Sequence, residues 1–441
     1  MRRMVLLLLT MFGSVAADAQ PKPNVVFIMT DDVGYGDLGS YGAPDIRTPV
    51  LDRLAKQGVR FTDFYSNGTT CSPTRAGLIT GRYQQRYGIE VPLPSADPTG
   101  RAGLPATDHS LPLLLKKAGY ATALVGKWHL GLGEDKTPRK HGYDYFFGFK
   151  TGYIDYYTHN SGAGQLDLWR NDDLMQEEGY MTDLITRHAV DYIRAQAAGP
   201  FYMSVHYNAA HWPYQVPDKP SVAILNAAHL QPHDPNAGTR AEYAAMLERA
   251  DQGIGEILQA IDDAGIAKNT LVIFTNDNGG EWLSRNAPLF HRKGSVWEGG
   301  IRVPAIMRWP GTIPAGQVTP QVGISMDFTA TILAVAKAQP PAGYAPEGID
   351  LLPIVSGRAE PVERTLFWRN SSARAVRSGD LKLVVDGQSS FIFNVRADAS
   401  ERNDLTNASQ RDVQRLRALL DAWVADVDAE KNIRAPEPAK K

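Results

Sequence analysis

The chain has one cysteine, and the residues around it are unusual for a buried thiol. Cys71 is followed by Pro73 and Arg75 in the run CSPTR. A single cysteine excludes an intrachain disulfide within this sequence. The thiol is then either a small buried apolar group, the usual state of a free cysteine, or a reactive group. The nearby arginine, which keeps its charge at physiological pH, favours a reactive group.

Oxygen-rich pairs follow two of the predicted buried strands. Asp31 and Asp32 come directly after NVVFIMT, and Asp277 and Asn278 come directly after TLVIFTN. If both strands lie centrally in one sheet, three carboxylates and one amide oxygen converge at their carboxyl ends. Such carboxylates repel one another without a cation, and all-oxygen ligation suits Ca²⁺ first and Mg²⁺ second. The alternative is that both pairs form ordinary turns.

Further basic side chains lie in short segments rich in Gly, Trp or Pro. They are Lys127 and His129 in GKWHLG, His211 in HWP, and Lys293 in KGS. Each one alone is usually solvated or satisfied by a local hydrogen bond. Together with Arg75 they supply the fixed positive charge and the proton donor that hydrolysis of an anionic ester requires.

A glycine pattern in the same region imitates a dinucleotide-binding loop. The run GYGDLG, which begins at Gly34, matches G-x-G-x-x-G and follows a strand. Three aspartates, Asp31, Asp32 and Asp37, would repel a pyrophosphate there. The following SYGAP also breaks the chain where a helix would have to offer its N-terminus. A nicotinamide or flavin dinucleotide site is therefore excluded.

Strands and helices alternate along most of the chain, which predicts an α/β fold with a doubly wound, mostly parallel sheet flanked by helices. Buried strands are predicted over residues 24–30, 121–126, 201–207 and 270–275. Helices are predicted over residues 48–57, 74–81, 111–118, 183–195 and 241–264. Two of these strands would then position the four oxygen-bearing residues Asp31, Asp32, Asp277 and Asn278.

The pattern changes after about residue 351. Short strands over 365–368, 375–377, 381–385 and 391–395, and a helix over 413–427, predict a small antiparallel sheet with a helix packed on it. We therefore expect a catalytic domain over 20–350 and a C-terminal subdomain over 351–430. The Pro/Lys/Ala-rich residues 431–441 are predicted to be a disordered tail.

The first residues are typical of an export signal. Arg2 and Arg3 precede an apolar run over 4–15 and the motif Ala17-Asp18-Ala19, which predicts a signal peptide over residues 1–19. A membrane anchor is the alternative, but the run is too short to span a bilayer. A formal net charge of −2 gives no reason to expect nucleic acid or an anionic membrane as partner. We expect a periplasmic or secreted protein without stable membrane insertion.

The Cys-x-Pro-x-Arg motif, with the aspartate, lysine and histidine segments, resembles the type I sulfatases of the alkaline phosphatase superfamily over nearly the whole mature chain. In that family the cysteine is oxidised to formylglycine, whose hydrate is the nucleophile. The resemblance implies that Cys71 is the formylglycine precursor and completes a Ca²⁺ site. It gives the other metal ligands as Asp31, Asp32, Asp277 and Asn278.

The same resemblance implies roles for the basic side chains. Arg75 and Lys127 would stabilise the nucleophile, and His129 would take a proton from the hydrate as the sulfo-enzyme breaks down. His211 and Lys293 would contact the sulfate and assist the leaving oxygen. A formylglycine-generating enzyme or an anaerobic maturase would be the partner that oxidises the cysteine.

The segments HGYDYFFG, DYYTH and DLWR are similar to the arylsulfatase A and B type, which implies a sulfated carbohydrate or another small sulfate ester as substrate. Their aromatic residues either stack on a sugar or pack within loops. Two other functions stay open. One is a phosphodiesterase or phosphonate monoester hydrolase with the same site, and the other is a glycan-binding protein in which Cys71 is never oxidised.

Overall fold

A ten-stranded sheet forms the centre of the larger part of the protein. The computed structural model describes residues 22–219 and 237–434. The strands in chain order are β1 Asn24–Thr30, β2 Val59–Phe61, β3 Phe64–Tyr65, β4 Ala121–Lys127, β5 Tyr145–Phe149, β6 Trp169–Arg170, β7 Asp173–Leu174, β8 Phe201–His206, β9 Thr270–Asn276, β10 Ala305–Arg308, β11 Gln317–Thr319, β12 Gly323–Ile324, β13 Thr365–Arg369, β14 Ala373–Ser378, β15 Leu381–Asp386 and β16 Ser389–Asn394. The helices are α1 Pro49–Gln57, α2 Cys71–Thr80, α3 Leu111–Lys117, α4 Met181–Gln196, α5 Arg240–Asp263, α6 Glu298–Ile301, α7 Ser325–Ala336, α8 Leu352–Val355 and α9 Gln410–Arg434.

The large sheet is mostly parallel, as predicted. Its strand order is β11-β2-β10-β9-β1-β8-β4-β5-β6-β7. The five central strands, in the order β9-β1-β8-β4-β5, are parallel to one another. Strand β10 is antiparallel to both β9 and β2. The four strands predicted as buried are all in this central group, because strands covered on both faces consist almost wholly of apolar residues.

Both faces of the sheet are covered, which confirms the doubly wound arrangement. Successive side chains of a strand point to opposite faces. Val26 and Ile28 of β1 belong to the core shared with α1, α4 and α5. Val25 and Phe27 belong to the core shared with α2, α3, α7 and α8.

The C-terminal residues form the predicted antiparallel sheet and helix. Strands β13 to β16 pair in sequence order, and α9 packs against them through Leu416, Leu420 and Trp423. The α9 backbone continues to Arg434, four residues into the segment predicted as a tail. Residues 435–441 and the predicted signal peptide lie outside the described residues. Within the described ranges, no helix has the length and apolar character needed to cross a membrane.

The helix that carries the cysteine begins earlier than predicted. The sequence predicts a loop through Pro73 and a helix from residue 74, but α2 begins at Cys71 itself. Proline is tolerated in the first turn because the amide there has no acceptor within the helix. All ten residues of α2 are buried, so the helix has no polar face that would have revealed its start.

A buried ion cluster joins the C-terminal sheet to the start of α6. Lys382 Nζ on β15 lies 2.8 Å from Glu298 Oε1 and 2.9 Å from Glu401 Oε1, and all three side chains are inaccessible to solvent. Glu298 also pairs with Arg302 at 3.2 Å. Glu401 has no other ion-pair partner among the described residues. Burial raises the pKa of Glu401 to about 7, although Lys382 opposes the rise.

Removing this lysine is expected to destabilise the fold. In Lys382→Met the Glu401 carboxylate is left buried without a cation, which costs about 3–5 kcal/mol of unfolding free energy. Loss of the lysine raises the Glu401 pKa further. The folded variant then holds a proton that the unfolded chain releases, so its stability falls as pH rises from the ordinary glutamate pKa of 4.5 to above 7. Denaturant unfolding at about pH 6 and about pH 8 measures both effects.

The matched control is Arg194→Ala, which breaks an exposed pair with Asp191 at 3.8 Å. Such pairs contribute about 0–1 kcal/mol, so the control is expected to change little at either pH. A loss below about 1 kcal/mol in Lys382→Met at the higher pH would show that this cluster does not hold the two sheets together.

Candidate active site

Four central strands end side by side at one edge of the sheet. The register pairs Thr30 with Asn276 and Gly126 with His206, so the segments that follow leave the sheet together. Gly126 has a φ of 115°, and a Cβ there would lie 1.9 Å from the carbonyl oxygen of His206. Only glycine allows β4 and β8 to approach this closely at their ends.

The three predicted aspartates converge at this edge. Asp31, Asp32 and Asp277 are at most 2% exposed. The backbone amide of Asp32 donates to Asp277 Oδ1 at 3.4 Å, and Asn278 Nδ2 donates to Asp32 Oδ1 at 2.8 Å. Backbone hydrogen bonds between Asp31 and the 209–210 segment continue the pairing of β1 with β8 beyond the strands. The structure therefore brings together the four side chains predicted as oxygen ligands.

One amide oxygen in this cluster has no hydrogen-bond donor within the part of the chain that the structure describes. Asn278 is inaccessible to solvent, and its Nδ2 donates to Asp32 and to the carbonyl of Gly279. No donor among the described residues reaches its Oδ1. Ligand atoms of Asp31, Asp32, Cys71 and His211 also lie within 4.8 Å of one another. A buried, unpaired amide oxygen beside three carboxylates fits a hard cation such as Ca²⁺.

Each aspartate has a basic side chain within 3 Å. Lys127 Nζ lies 2.5 Å from Asp31 Oδ2, and Lys293 Nζ lies 2.7 Å from Asp32 Oδ2. Arg75 Nη2 lies 2.9 Å from Asp277 Oδ2. The cations predicted from separate segments thus meet in one cluster. Their charges oppose the mutual repulsion of the carboxylates.

Cys71 lies at the first position of α2 and points into this cluster. Its Sγ is 3.7 Å from Asp31 Oδ1, and the residue is 2% exposed. Arg75 follows one turn later, so both side chains lie on the same face of the helix. Burial alone would raise the pKa of the Cys71 thiol, but Lys127 and Lys293 bring it well below its ordinary value.

The two predicted histidines have opposite electrostatic environments. His129 Nε2 lies 3.0 Å from the carbonyl oxygen of Leu93 and donates to it, which leaves Nδ1 without a partner among the described residues. Burial lowers the pKa of His129. Burial also opposes protonation of His211, but Asp32 Oδ2, 3.5 Å from His211 Nε2, raises its pKa. His129 is thus arranged to accept a proton and His211 to donate one.

A third histidine, which the sequence analysis did not identify, supports the arginine. His206 ends β8, and its Nδ1 lies 3.2 Å from Arg75 Nη1. The same guanidinium nitrogen donates to the carbonyl of Lys127 at 3.1 Å. The sequence feature that could have identified His206 is its position at the end of a predicted buried strand, at the same edge of the sheet as Asp31. His206 therefore positions Arg75.

Most aromatic residues of the arylsulfatase-like segments pack in the interior. Phe147 stacks on His188 with ring centroids 3.5 Å apart, and Tyr156 stacks on Tyr180 at 5.2 Å. Phe147 and Tyr156 are at most 1% exposed. For these two residues, the prediction of packing inside the protein is confirmed and the prediction of stacking on a sugar is wrong. Tyr153, outside those segments, is partly exposed and stacks on His211 at 5.8 Å.

Comparison with known proteins agrees with this geometry. Residues 23–338 match the family model described as Sulfatase, and residues 288–420 match one described as N-sulphoglucosamine sulphohydrolase, C-terminal. N-acetylgalactosamine-6-sulfatase of Mus musculus is 36% identical over 404 residues, which cover 86% of this chain and 75% of the relative. Arylsulfatase A of Bos taurus is 33% identical over 430 residues, which cover 88% of this chain and 80% of the relative. The crystal structure of Ps i-CgsB in complex with k-i-k-neocarrahexaose has a TM-score of 0.82 and 30% identity, and the match covers 91% of this chain and 92% of that chain.

Proposed function

Since this chain belongs to the sulfatase family and is a sulfuric ester hydrolase, we propose that it releases sulfate from a carbohydrate. The nucleophile is the hydrate of a formylglycine made from Cys71. The observation that carries the proposal is the position of Cys71 at the start of α2, among three buried carboxylates and the unpaired Oδ1 of Asn278. The names of the relatives support a sulfated sugar as the substrate class.

The metal ligands would be Asp31, Asp32, Asp277, Asn278 and the group derived from Cys71. Bound Ca²⁺ would supply fixed positive charge beside the anionic ester. This donor set has the all-oxygen composition that Ca²⁺ prefers, once the thiol has been replaced by an oxygen group.

The remaining side chains orient the reacting groups and move protons. Arg75 and Lys127, at most 2% exposed, hold positive charge beside the nucleophile. His129 lies beside Cys71, and its Nδ1, which has no hydrogen-bond partner among the described residues, would accept the proton of a hydrate hydroxyl. His211 and Lys293 both lie beside Asp32 Oδ2, at 3.5 and 2.7 Å, and would stabilise the leaving oxygen.

Oxidation of Cys71 requires a maturing enzyme as partner. Because Cys71 is 2% exposed and lies in a buried helix, such an enzyme can reach it only before the chain folds. This order fits the proposed export of the protein to the periplasm or the exterior.

The test is the mass of the tryptic peptide that contains Cys71, from protein made with a maturase. Conversion of thiol to aldehyde lowers the mass by about 18 Da, whereas ordinary thiol oxidation raises it. We expect the lighter peptide and hydrolysis of an aryl sulfate faster than of an aryl phosphodiester. Protein made without a maturase is the control and should keep the thiol and lack activity. Only thiol in a fully active preparation would refute the formylglycine mechanism.

A further inference from the structure

A groove beside the active site is not used by the chemistry described above. It has a volume of about 770 Å³, in the range that accommodates a substantial ligand. The residues of its wall that matter here are Glu281, Trp282, Arg285, Arg292, Ser400 and Arg402. Its loop is continuous in the chain with the active site, because Glu281 follows Asn278 by three residues, Arg292 directly precedes Lys293, and the Lys293 amide donates to the Gly280 carbonyl at 3.2 Å.

The loop that forms one wall is fixed to the active-site backbone. Asn286 accepts a hydrogen bond from the Gly280 amide at 2.9 Å and donates to the Gly280 carbonyl at 2.9 Å. The amide of Lys293 also donates to that carbonyl, at 3.2 Å. The Arg285 amide donates to the buried carboxylate of Asp37 at 3.1 Å. A ligand in the groove therefore meets a wall already held in place.

The C-terminal subdomain supplies the other wall. Arg402 is exposed, and its backbone amide donates to Asp398 Oδ2 at 2.8 Å. The preceding residue, Glu401, is anchored by Lys382 and by the amide of Glu298 at 2.7 Å. The backbone that carries Arg402 is thus held in place, and Arg402 lines the groove together with the 281–292 loop.

The groove has uncompensated positive charge. Arg240 pairs with Asp45 at 2.9 Å, and Arg292 lies 4.0 Å from Glu281. Neither Arg285 nor Arg402 has an ion-pair partner among the residues that the structure describes. Guanidinium groups bind sulfate and carboxylate in a planar, bidentate geometry, so this excess favours an anionic ligand.

Trp282 adds an apolar surface beside the charged side chains of the groove. It is 49% exposed, and it is the one exposed tryptophan of the eight, all of which lie within the described ranges. The Arg292 guanidinium lies 4.7 Å from its ring centroid, a cation–π contact that holds the indole at the rim. An aromatic face of this kind can cover the apolar face of a sugar ring.

We propose that this groove is a second sugar subsite, which binds a further anionic residue of an oligosaccharide substrate while the sulfate being cleaved lies at Cys71. The assignment rests on the proposed function. Trp282 stacks on the sugar ring, and Arg285 and Arg402 hold its sulfate or carboxylate. Glu281, at the active-site end, accepts hydrogen bonds from sugar hydroxyls. A single-stranded nucleic acid also combines charge with stacking, but the net charge of −2 disfavours it.

The test is binding to the Cys71→Ala protein, which cannot turn the ligand over. The probes are N-acetylgalactosamine 6-sulfate and size-defined hexasaccharides of chondroitin 6-sulfate and of carrageenan, measured by calorimetry. We expect at least one hexasaccharide to bind more tightly than the monosaccharide. Trp282→Ala and Arg285→Ala/Arg402→Ala should each weaken that binding about tenfold, equivalent to about 1.4 kcal/mol. The double arginine variant should also show a weaker dependence on salt.

Matched controls are Leu174→Ala and Arg194→Ala, which alter an exposed apolar and an exposed basic side chain away from the groove. They should leave hexasaccharide binding unchanged. With Cys71 intact, the groove variants should hydrolyse a small aryl sulfate within about twofold of the unsubstituted protein.

Unchanged hexasaccharide binding in both groove variants, or no hexasaccharide that binds more tightly than the monosaccharide, would overturn the subsite. So would a single-stranded oligonucleotide that displaces the hexasaccharide. Each of these results leaves aryl sulfate hydrolysis intact. Failure of the proposed function has a different signature, since the matured protein would then not hydrolyse the aryl sulfate at all.

Discussion

The Cys71→Ser protein is expected to take up one sulfuryl group from an aryl sulfate and then to stop. The formylglycine hydrate has two hydroxyl groups. One becomes sulfated, and loss of the proton from the other lets the carbon–oxygen bond break to give the aldehyde and free sulfate. A serine ester has no second hydroxyl, so its release requires water to attack at sulfur. Intact-protein mass spectrometry after substrate addition should therefore show a stable covalent adduct.

The Cys71→Ala protein has no oxygen nucleophile at this position and should form no adduct. Its kcat/KM is expected to fall by on the order of 10⁴-fold or more. Thr70→Val is the matched control, because it changes the residue before α2 without touching the nucleophile. It should keep most of the activity. Sustained multiple turnover by Cys71→Ser would contradict the mechanism, since a serine ester cannot release sulfate in the way a geminal diol does.

Removal of the metal is expected to abolish activity and to lower thermal stability. Treatment with EGTA would leave Asp31, Asp32 and Asp277 paired with basic side chains and without the proposed cation. Added Ca²⁺ should restore the rate, with Mg²⁺ less effective because it demands a stricter geometry. A ligand at 100 times its dissociation constant stabilises the folded state by about 2.7 kcal/mol, so calcium should also raise the melting temperature.

A variant at the unpaired amide makes this test specific. Asn278→Ala removes the Oδ1 that has no donor among the described residues. The variant should need a calcium concentration about 10–100 times higher to reach the same rise in melting temperature. Asp45→Asn, which alters a carboxylate outside the cluster, should respond to calcium like the unsubstituted protein. Full activity in protein shown by elemental analysis to be metal-free would exclude the metal from the reaction.

Local sequence was sufficient for several parts of this protein. The run NVVFIMT and the run TLVIFTN predicted two buried strands, and the structure has them at Asn24–Thr30 and Thr270–Asn276. Because both strands end in oxygen-bearing residues, the convergence of Asp31 and Asp277 followed from the rule for parallel sheets. The Cys71 motif predicted the family, which the comparisons confirm. The formylglycine and the calcium remain predictions.

Other features depend on contacts between distant segments. The start of α2 was missed because its burial on all sides removes the amphipathic pattern, and Pro73 lies in the first turn, which accepts proline. The support of Arg75 by His206 joins residues 131 positions apart, through the strand order of the sheet. Periodicity shows which face of one element is buried, but not which side chain it meets.

The sequence by itself predicted the chemistry, because the presence of a thiol, of oxygen ligands and of basic groups is fixed by residue type. The tertiary structure decided what surrounds that chemistry. It buried most aromatic residues of the arylsulfatase-like segments, left Trp282 exposed, and placed Arg402 in the same groove as the 281–292 loop. The physical reason is that exposure and charge balance are properties of packed neighbours, and those neighbours are set by strand order and by the docking of the two sheets.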